Sequence, residues 1–397
     1  MNKLSDRINK MSESATLAMA RLSRELKEEG KDIITLSLGE PDFDTPDFIK
    51  KAAKKAIDDN FSHYTPVPGL PELRDSIVTK FHRDNNLKYT RDQIVVSTGA
   101  KQSLANVCLS LLNPEDEVLL PCPYWVSYSD MIKLAEARPV KILSSIENDF
   151  KVTVSQIEDA ITPKTKMLIF SSPCNPSGTV YSRSELENIA KMLEKYPHIY
   201  VVADEIYEHI NFDEKHFSIG SIASMKNKTI TVNGVSKGFA MTGWRVGFIG
   251  APLWIANACN KIQGQVTSAT CAIAQKATEK AMLADPKITT SMRNSFLKRR
   301  NLVIKLLKEI PNIKCNLPKG AFYVFPDVSF YFGKQYKNII IKNADDFCMY
   351  LLNNAHVACV SGTPFGNDNC IRISYATSEN KLIEGIKRIK NQLEQLS

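Results

Sequence analysis

The chain has 397 residues, of which 43% are hydrophobic and 24% are charged, so it is long enough for two or three globular domains. Its 51 basic and 43 acidic residues give a net charge of +8 without any long block of lysine and arginine. The densest basic run, "LKRR" at 297–300, lies in a helical pattern and indicates a solvated helix face. We therefore expect no nucleic-acid partner.

The cysteines and the N-terminus indicate a cytoplasmic protein. Nine cysteines are scattered without a CxxC pair and six histidines without an HxxxH pair, which favours reduced thiols over a zinc site. The N-terminal stretch is amphipathic, contains acidic residues and lacks the apolar block of a signal peptide. The sequence also lacks the run of about 18 apolar residues that a membrane-spanning helix needs. We expect no metal and no membrane contact.

Short β-rich runs alternate with helical stretches over much of the chain. The predicted strands, in chain order, are 93–98, 117–123, 139–143, 166–172, 200–205, 229–234 and 245–250. Helical patterns such as "KQSLANVCLSLL" and "RSELENIAKMLEKY" lie between several of them. This alternation predicts an α/β fold with a mostly parallel sheet that is covered on both faces.

The pattern changes near residue 285. A long charged helix, 288–310, leads into a smaller α+β segment that ends in a helical pattern at 379–396. We predict an N-terminal segment, 1–45, that packs with a small C-terminal domain, 286–397, and a large domain between them, 46–285.

Four of the predicted strands are followed by polar turns: "STGAKQS" (97–103), "SSPCNPSG" (171–178), "DEIY" (204–207) and "VSKG" (235–238). Ligands of such sheets bind beyond the carboxyl ends of the strands. These turns therefore predict one site at that rim of the sheet.

Each turn has a chemical and a plain structural interpretation. The small residues of "STGAKQS" open a helix and suit an anion, although a tight turn would look the same. Asp204 ends an apolar strand and must be paired, either with a protonated ring nitrogen or as a helix cap. The amide of Asn175 can donate to a phenolate-like oxygen or belong to an Asn-Pro turn. Lys237, in an electropositive pocket, would favour its neutral amine, which condenses with aldehydes. Together they predict pyridoxal 5'-phosphate.

Nine motifs, in order, carry a family resemblance. They are "LGEPDFDTP" (38–46), "YTPVPGLPELR" (64–74), "STGAKQS", "PYWVSY" (123–128), "PCNPSG" (173–178), "DEIYE" (204–208), "NGVSKGFAMTGWRVG" (233–247), "PKGAFYVF" (318–325) and "IRISYATS" (371–378). With them the chain resembles the fold-type-I aspartate aminotransferase family, in particular its bacterial and plant subgroup that includes aspartate/prephenate aminotransferases. The resemblance implies a large domain with a seven-stranded sheet, a small α+β domain, and a homodimer with active sites at the subunit interface.

The resemblance also implies residues for the cofactor ring. Lys237 would hold pyridoxal phosphate covalently and, once released, move the proton of the substrate α-carbon. Asp204 would keep the ring nitrogen protonated, and Tyr207 and Asn175 would bind the phenolate oxygen. Trp125 would stack on the ring face, beside the substrate.

The same comparison implies a phosphate site made by Ser236, Arg245 and the backbone of Ala100 and Lys101. Tyr64 would reach this phosphate from the neighbouring subunit.

Substrate residues follow in the same way. Arg372 would clamp the α-carboxylate, with Asn175 and the backbone of Gly39 assisting, because its planar fork suits a carboxylate. Another subgroup reads the distal carboxylate with an arginine after the cofactor lysine, but no arginine lies between positions 245 and 293 here. The subgroup that this chain resembles uses a lysine and small hydroxyl residues, which match Lys101, Ser14 and Thr16; a surface lysine and a helix cap are their plain interpretations.

The predicted function is a ping-pong aminotransferase, an aspartate transaminase that moves the amino group of L-aspartate to 2-oxoglutarate, with prephenate as an additional candidate substrate. The alternatives are an aromatic, alanine or kynurenine-type aminotransferase, or a related β-lyase. A transcriptional regulator with an aminotransferase-like domain would need a DNA-binding domain, and residues 1–32, before "IITLSLGEPDF", are too few for a winged helix.

Overall fold

The computed structural model describes residues 4–213 and 215–397. The strands are β1 (Ile34–Thr35), β2 (Ile94–Ser97), β3 (Glu117–Pro121), β4 (Arg138–Ile142), β5 (Thr165–Ser171), β6 (Tyr200–Asp204), β7 (Thr229–Gly234), β8 (Gly247–Gly250), β9 (Tyr323–Val324), β10 (Gln335–Tyr336), β11 (Ile339–Ile340), β12 (Val357–Ala358), β13 (Val360–Ser361) and β14 (Ile371–Ser374). The α-helices are α1 (Asp6–Asn9), α2 (Ala15–Glu28), α3 (Asp47–Asp58), α4 (Pro71–Asn85), α5 (Ala100–Leu111), α6 (Ser127–Leu134), α7 (Val154–Asp159), α8 (Arg183–Leu193), α9 (Leu253–Val266), α10 (Ala272–Leu283), α11 (Thr290–Leu307), α12 (Ala344–Tyr350) and α13 (Glu379–Leu393). Short 3-10 turns lie at Arg91–Gln93, Ile146–Asn148, Ile219–Ser221, Ala223–Met225, Thr242–Trp244, Pro286–Thr289, Ser329–Tyr331 and Thr363–Phe365, and a π-helical turn at Leu351–Ala355.

All seven predicted strands join one central sheet, in the order β2-β8-β7-β6-β5-β3-β4. The pairs from β7 through β4 are parallel, and β8 is antiparallel to both of its neighbours. The prediction of a mostly parallel α/β sheet is confirmed. The direction of β8 follows from its connection, because a parallel return needs a long crossover and the described loop 235–246 contains only the 3-10 turn and no α-helix.

Successive residues of the sheet pack on opposite faces. Val118 and Leu120 of β3 lie in the layer that α5, α6 and α9 cover, whereas Leu119 between them packs in the layer of α7 and α8. Side chains of a strand point alternately to the two faces of the sheet, and helices cover both faces. These strands are therefore apolar throughout, since neither face meets water. The four polar turns follow the strands at the carboxyl-end rim of the sheet.

Strand β1 connects the N-terminal segment to the C-terminal third of the chain. Ile34 and Thr35 pair in parallel with Val357 and Ala358, and a separate three-stranded sheet has the order β13-β14-β9. The division at residues 45 and 285 stays a prediction. No helix within residues 4–213 and 215–397 combines the length and the apolar content needed to cross a bilayer.

Candidate active site

A cavity of about 360 Å³ opens where the four polar turns meet. Thirteen of the fourteen side chains or backbone positions named from the sequence line it: Ser14, Thr16, Gly39, Ala100, Lys101, Trp125, Asn175, Asp204, Tyr207, Ser236, Lys237, Arg245 and Arg372. Tyr64 is the exception in the described chain, because its side chain is fully exposed and does not line the cavity.

Lys237 follows β7 and points into the cavity. Its Nζ donates a hydrogen bond to the carbonyl oxygen of Gly39 at 2.5 Å and lies 5.8 Å from the ring centre of Tyr207. Burial, with the guanidinium groups of Arg372 and Arg245, lowers the pKa of Lys237 to about 8, although the nearby carboxylate of Glu40 acts in the opposite direction. With a pKa of about 8, roughly one-tenth of the amine is neutral at pH 7, about 300-fold more than for an ordinary lysine. Lys237 is therefore a better nucleophile at neutral pH than an ordinary lysine.

Asp204 ends β6 and is buried, with 4% of its surface exposed. Its Oδ2 accepts a hydrogen bond from Tyr128 Oη at 2.7 Å, and its Oδ1 accepts one from the backbone N–H of Ile206 at 3.2 Å. Burial raises the pKa of Asp204 to about 6, although both hydrogen bonds act in the opposite direction. A cation in the cavity would relieve the cost of this buried charge.

Arg372 lies on β14 and has 2% of its surface exposed. Its guanidinium donates to the side-chain oxygen of Asn175 at 3.0 Å, the carbonyl oxygen of Ser37 at 2.6 Å and the hydroxyl of Thr16 at 3.3 Å. Nε has no hydrogen-bond partner among the described residues. Burial lowers the pKa of Arg372, but a guanidinium stays charged in proteins. Its acceptors are all neutral, so its charge is left for an anionic ligand.

The start of α5 forms an anion cradle with Arg245. Gly99 precedes the helix with a φ of +83°, and a side chain there would collide with the guanidinium of Arg245. A side chain at Gly247 would collide with the backbone of Ala100. The left-handed φ of Gly99 and the close backbone contact of Gly247 therefore favour glycine at both positions. These close approaches bring the free N–H groups of a helix start, Ser236 and an arginine to one end of the cavity, which is the donor set of a phosphate site.

Trp125 and Lys101 form one wall of the cavity. The Trp125 ring packs edge-on against Tyr128, with centroids 5.4 Å apart, and Lys101 Nζ lies 5.0 Å from the Trp125 ring centre. Burial and the charge of Arg245 lower the pKa of Lys101. Lys101 is exposed, but its position over an aromatic ring and near the Arg245 guanidinium distinguishes it from an ordinary surface lysine.

The hydroxyl residues of the N-terminal segment reach the same cavity. Ser14 is the N-cap residue of α2 but makes no side-chain cap hydrogen bond within the described chain, and Thr16 meets Arg372 instead. The structure thus places both residues at the site, with Thr16 beside the arginine assigned to the α-carboxylate.

Sequence reasoning missed Tyr128, Tyr323 and Glu40. Tyr323 Oη lies 2.8 Å from Tyr207 Oη, and Glu40 accepts a hydrogen bond from Thr242. Both tyrosines stand in quoted motifs, "PYWVSY" and "PKGAFYVF". Their roles had no local signal, because each depends on a contact with a residue far away in the chain.

One group of possible metal ligands occurs in the described residues: Glu205, Glu208 and His216. The carboxylate of Glu208 is already paired with Lys80 and accepts a hydrogen bond from Asn85 at 2.6 Å. His216 Nε2 lies 3.1 Å from Glu205 Oε2. These atoms form a buried network next to Asp204 in the chain, in which Lys80 already supplies a cation to Glu208.

Comparison with known proteins identifies the family. The model of the family "Aminotransferase class I and II" matches residues 31–389. A protein from Rickettsia felis, named probable aspartate/prephenate aminotransferase, is 46% identical over 98% of this chain and 96% of its own length. The aspartate aminotransferase structure from Rhizobium meliloti covers 100% of both chains with a TM-score of 0.96 and 41% identity. The Thermus thermophilus aspartate aminotransferase with maleate covers 99% of this chain and 100% of its own, with a TM-score of 0.93 and 37% identity. These matches confirm the resemblance, and the chain belongs to the class I and II aminotransferases.

Proposed function

We propose that this protein transfers the amino group of L-aspartate to 2-oxoglutarate, giving oxaloacetate and L-glutamate, and that prephenate is a further amino acceptor. The proposal is carried by two cations, Arg372 and Lys101, that line the same cavity as Lys237. Arg372 is buried against neutral acceptors, and Lys101, whose side chain is exposed, lies over the Trp125 ring on the wall of the same cavity. Two such charges suit a substrate with two carboxylates.

The cavity also fits pyridoxal 5'-phosphate. Lys237 offers an amine with a lowered pKa, Asp204 offers a buried anion for a protonated ring nitrogen, and the start of α5 with Arg245 offers the phosphate donors. When bound, this cofactor supplies an electron sink for the negative charge that develops at the substrate α-carbon. The Asn175 amide and the Tyr207 hydroxyl are the proposed partners of its phenolate oxygen, and Trp125 is the proposed stacking ring.

The chain itself would supply binding and proton transfer in both half-reactions of the ping-pong cycle. Arg372 holds the α-carboxylate, with Asn175 and the backbone of Gly39 beside it, so that the α-hydrogen faces Lys237. The neutral Lys237 amine then takes the proton from the α-carbon. A lysine with a pKa near the working pH is suited to take and return a proton.

We also propose a homodimer. Tyr64 is fully exposed and lies outside the cavity of its own subunit within the described chain, which leaves its ring free to enter the site of a second copy. Sedimentation of the holoenzyme should give the mass of a dimer. Tyr64→Phe should weaken cofactor binding in that dimer, and an active monomer would overturn the proposal.

A panel of amino donors tests the substrate assignment. Single-turnover spectra should show L-aspartate and L-glutamate reacting faster than alanine, phenylalanine or kynurenine, and 2-oxoglutarate and prephenate should accept the amino group. Faster reaction of an aromatic donor than of aspartate would replace the dicarboxylate assignment. Release of a β-substituent from a donor without transamination would instead identify a β-lyase.

Lys101→Ala should impair dicarboxylic substrates selectively. Hydrogen bonds to a charged group contribute roughly 1.5–3 kcal/mol, which predicts a loss of about 10- to 150-fold in kcat/KM for aspartate. Alanine should react about as before, because it has no second carboxylate. Lys166→Ala is a matched control, since Lys166 also lies over an aromatic ring, 5.7 Å from Tyr200, outside the cavity lining of the described chain. Equal losses for aspartate and alanine would make Lys101 a cofactor residue.

Arg372→Lys should raise KM for every amino donor. A lysine is a point charge and cannot reproduce two parallel hydrogen bonds to the α-carboxylate, so about 10- to 150-fold in kcat/KM should be lost with aspartate, alanine and phenylalanine alike. The melting temperature should be recorded as well, because the side chain is buried. A loss confined to one donor would show that Arg372 reads a side chain instead.

A further inference from the structure

Tyr128 is a buried tyrosine without an assigned role on the lining of the proposed site. It lies in the first turn of α6, is 1% exposed, and packs edge-on against Trp125. Its hydroxyl donates to Asp204 Oδ2 at 2.7 Å. The two residues are 76 positions apart in the chain, and β5 lies between the strand that leads to α6 and the strand that ends at Asp204.

The hydroxyl is fixed as the donor of this bond. Burial and the adjacent Asp204 carboxylate hold the pKa of Tyr128 well above its ordinary value, so the phenol keeps its proton. An ionised carboxylate accepts hydrogen bonds and donates none. The bond is therefore strongest when Asp204 is charged, and it stabilises that charged form.

The other carboxylate oxygen is also held. Asp204 Oδ1 accepts the backbone N–H of Ile206 at 3.2 Å, so each oxygen has one protein donor and the plane of the carboxylate is set from both sides. Burial and, to a smaller extent, the charge of Glu205 raise the pKa of Asp204. The Tyr128 hydroxyl is the largest influence in the opposite direction, followed by the Ile206 N–H and the charge of Lys237. Without it, a buried carboxyl at this position would hold its proton more tightly.

We propose that Tyr128 is a positioning residue that orients the Asp204 carboxylate and stabilises its negative charge towards the ring nitrogen of the cofactor. The proposal rests on the proposed function, since the ring is that of pyridoxal phosphate. A negative Asp204 leaves the proton on the ring nitrogen. A more basic Asp204 would draw that proton onto its own oxygen and leave the ring neutral, which weakens the electron sink.

Titration of the apoprotein tests the link between the two residues without the cofactor. Protein labelled with [4-13C]aspartate gives the Asp204 carboxyl signal, which is assigned by its loss in Asp204→Asn. Tyr128→Phe removes only the hydroxyl and should raise the Asp204 midpoint by about 1 to 2 pH units. Tyr350→Phe is the matched control, because Tyr350 is buried and donates to the Gln392 carbonyl at 2.9 Å, far from the site, and it should leave that midpoint unchanged.

A second substitution separates charge from packing. Replacing Tyr128 with 3,5-difluorotyrosine keeps the ring and makes the hydroxyl a stronger donor, so the Asp204 midpoint should fall. If Tyr128 only packed in the core, the two substitutions would not shift the Asp204 midpoint in opposite directions. An unchanged midpoint in folded Tyr128→Phe, or a rise with the fluorinated residue, would overturn the proposal.

The holoenzyme gives the second readout. With 15N in the cofactor ring, the nitrogen signal of Tyr128→Phe at pH 7.5 should move from the protonated towards the neutral position, whereas Tyr350→Phe should match the wild type. An unmoved signal would also overturn the proposal. Failure of the wild-type protein to bind pyridoxal phosphate would refute the proposed function instead, and the apoprotein titration would still report on the Tyr128–Asp204 bond.

Discussion

Lys237→Ala should lose transamination almost completely. The amine is both the attachment point for the proposed cofactor and the base at the substrate α-carbon, and loss of a positioned base alone lowers rates by roughly 10²- to 10⁴-fold. Single-turnover reactions with aspartate would measure the loss. Lys228→Ala is the matched control, because Lys228 is also buried with a lowered pKa, but its Nζ donates to the Leu193 carbonyl at 2.8 Å, away from the site.

Borohydride and pH give independent checks of Lys237. Reduction of the reconstituted wild type should fix the cofactor on Lys237, and peptide mapping that found it on another lysine would refute the assignment. The neutral amine is the reactive form, and its fraction grows as pH rises through the lowered pKa of about 8. The rate of cofactor recombination with the apoprotein should therefore rise with a midpoint near pH 8 and level off above it. A midpoint near that of an ordinary lysine would contradict the lowered pKa of Lys237.

Asp204→Ala should lower kcat by roughly 10²- to 10³-fold, which is typical for removal of one preorganised electrostatic group. The charge that keeps the ring nitrogen protonated is lost. Asp204→Glu should restore part of the rate, because the longer side chain retains the charge. Turnover of Asp204→Ala near the wild-type rate would make Asp204 a structural residue.

The same substitution should not destabilise the apoprotein at neutral pH. The folded-state pKa of Asp204 is raised from 3.8 to about 6, so the folded protein holds this proton more tightly and stability falls as pH rises from 3.8 through 6. Above pH 7, removal of the carboxyl should raise the free energy of unfolding by up to about 2 to 3 kcal/mol. The Tyr128 hydroxyl, which loses its acceptor, reduces this gain. Denaturant unfolding of the wild-type and Asp204→Ala apoproteins at pH 5 and pH 8 measures the change in the free energy of unfolding. The gain in stability should be larger at pH 8, and equal changes at both pH values would contradict this prediction.

The strands of the seven-stranded sheet could be predicted because their sequence signals are local. Each of the seven strands is a short β-rich run bounded by turns, and each observed strand lies within two residues of the predicted bounds at both ends. The polar turns after β2, β5, β6 and β7 could be placed at one rim, because parallel strands present the same end to the same edge. The local signals therefore predicted the fold class and the turns that meet at the cavity, and the family resemblance added lining residues outside those turns, such as Trp125 and Arg372.

The contacts between distant residues were decided by the tertiary structure. Arg372 meets Asn175, 197 positions away, and Thr16, 356 positions away. Tyr207 meets Tyr323, 116 positions away. Such contacts depend on strand register and on the packing of separate layers, which leave no periodic trace in the residues themselves.

The burial of the titratable side chains was also decided by the tertiary structure. In the sequence, Asp204, Tyr128 and Lys237 show only their ordinary ionisation, and each departs from it because the folded chain removes water and places a specific partner beside it. Desolvation and hydrogen bonding act over a few ångströms in space, whereas the sequence orders residues along the chain. The sequence therefore determined the residue types at the site and the expectation of a neutral Lys237 amine, and the fold decided the partners and the burial that shift each pKa.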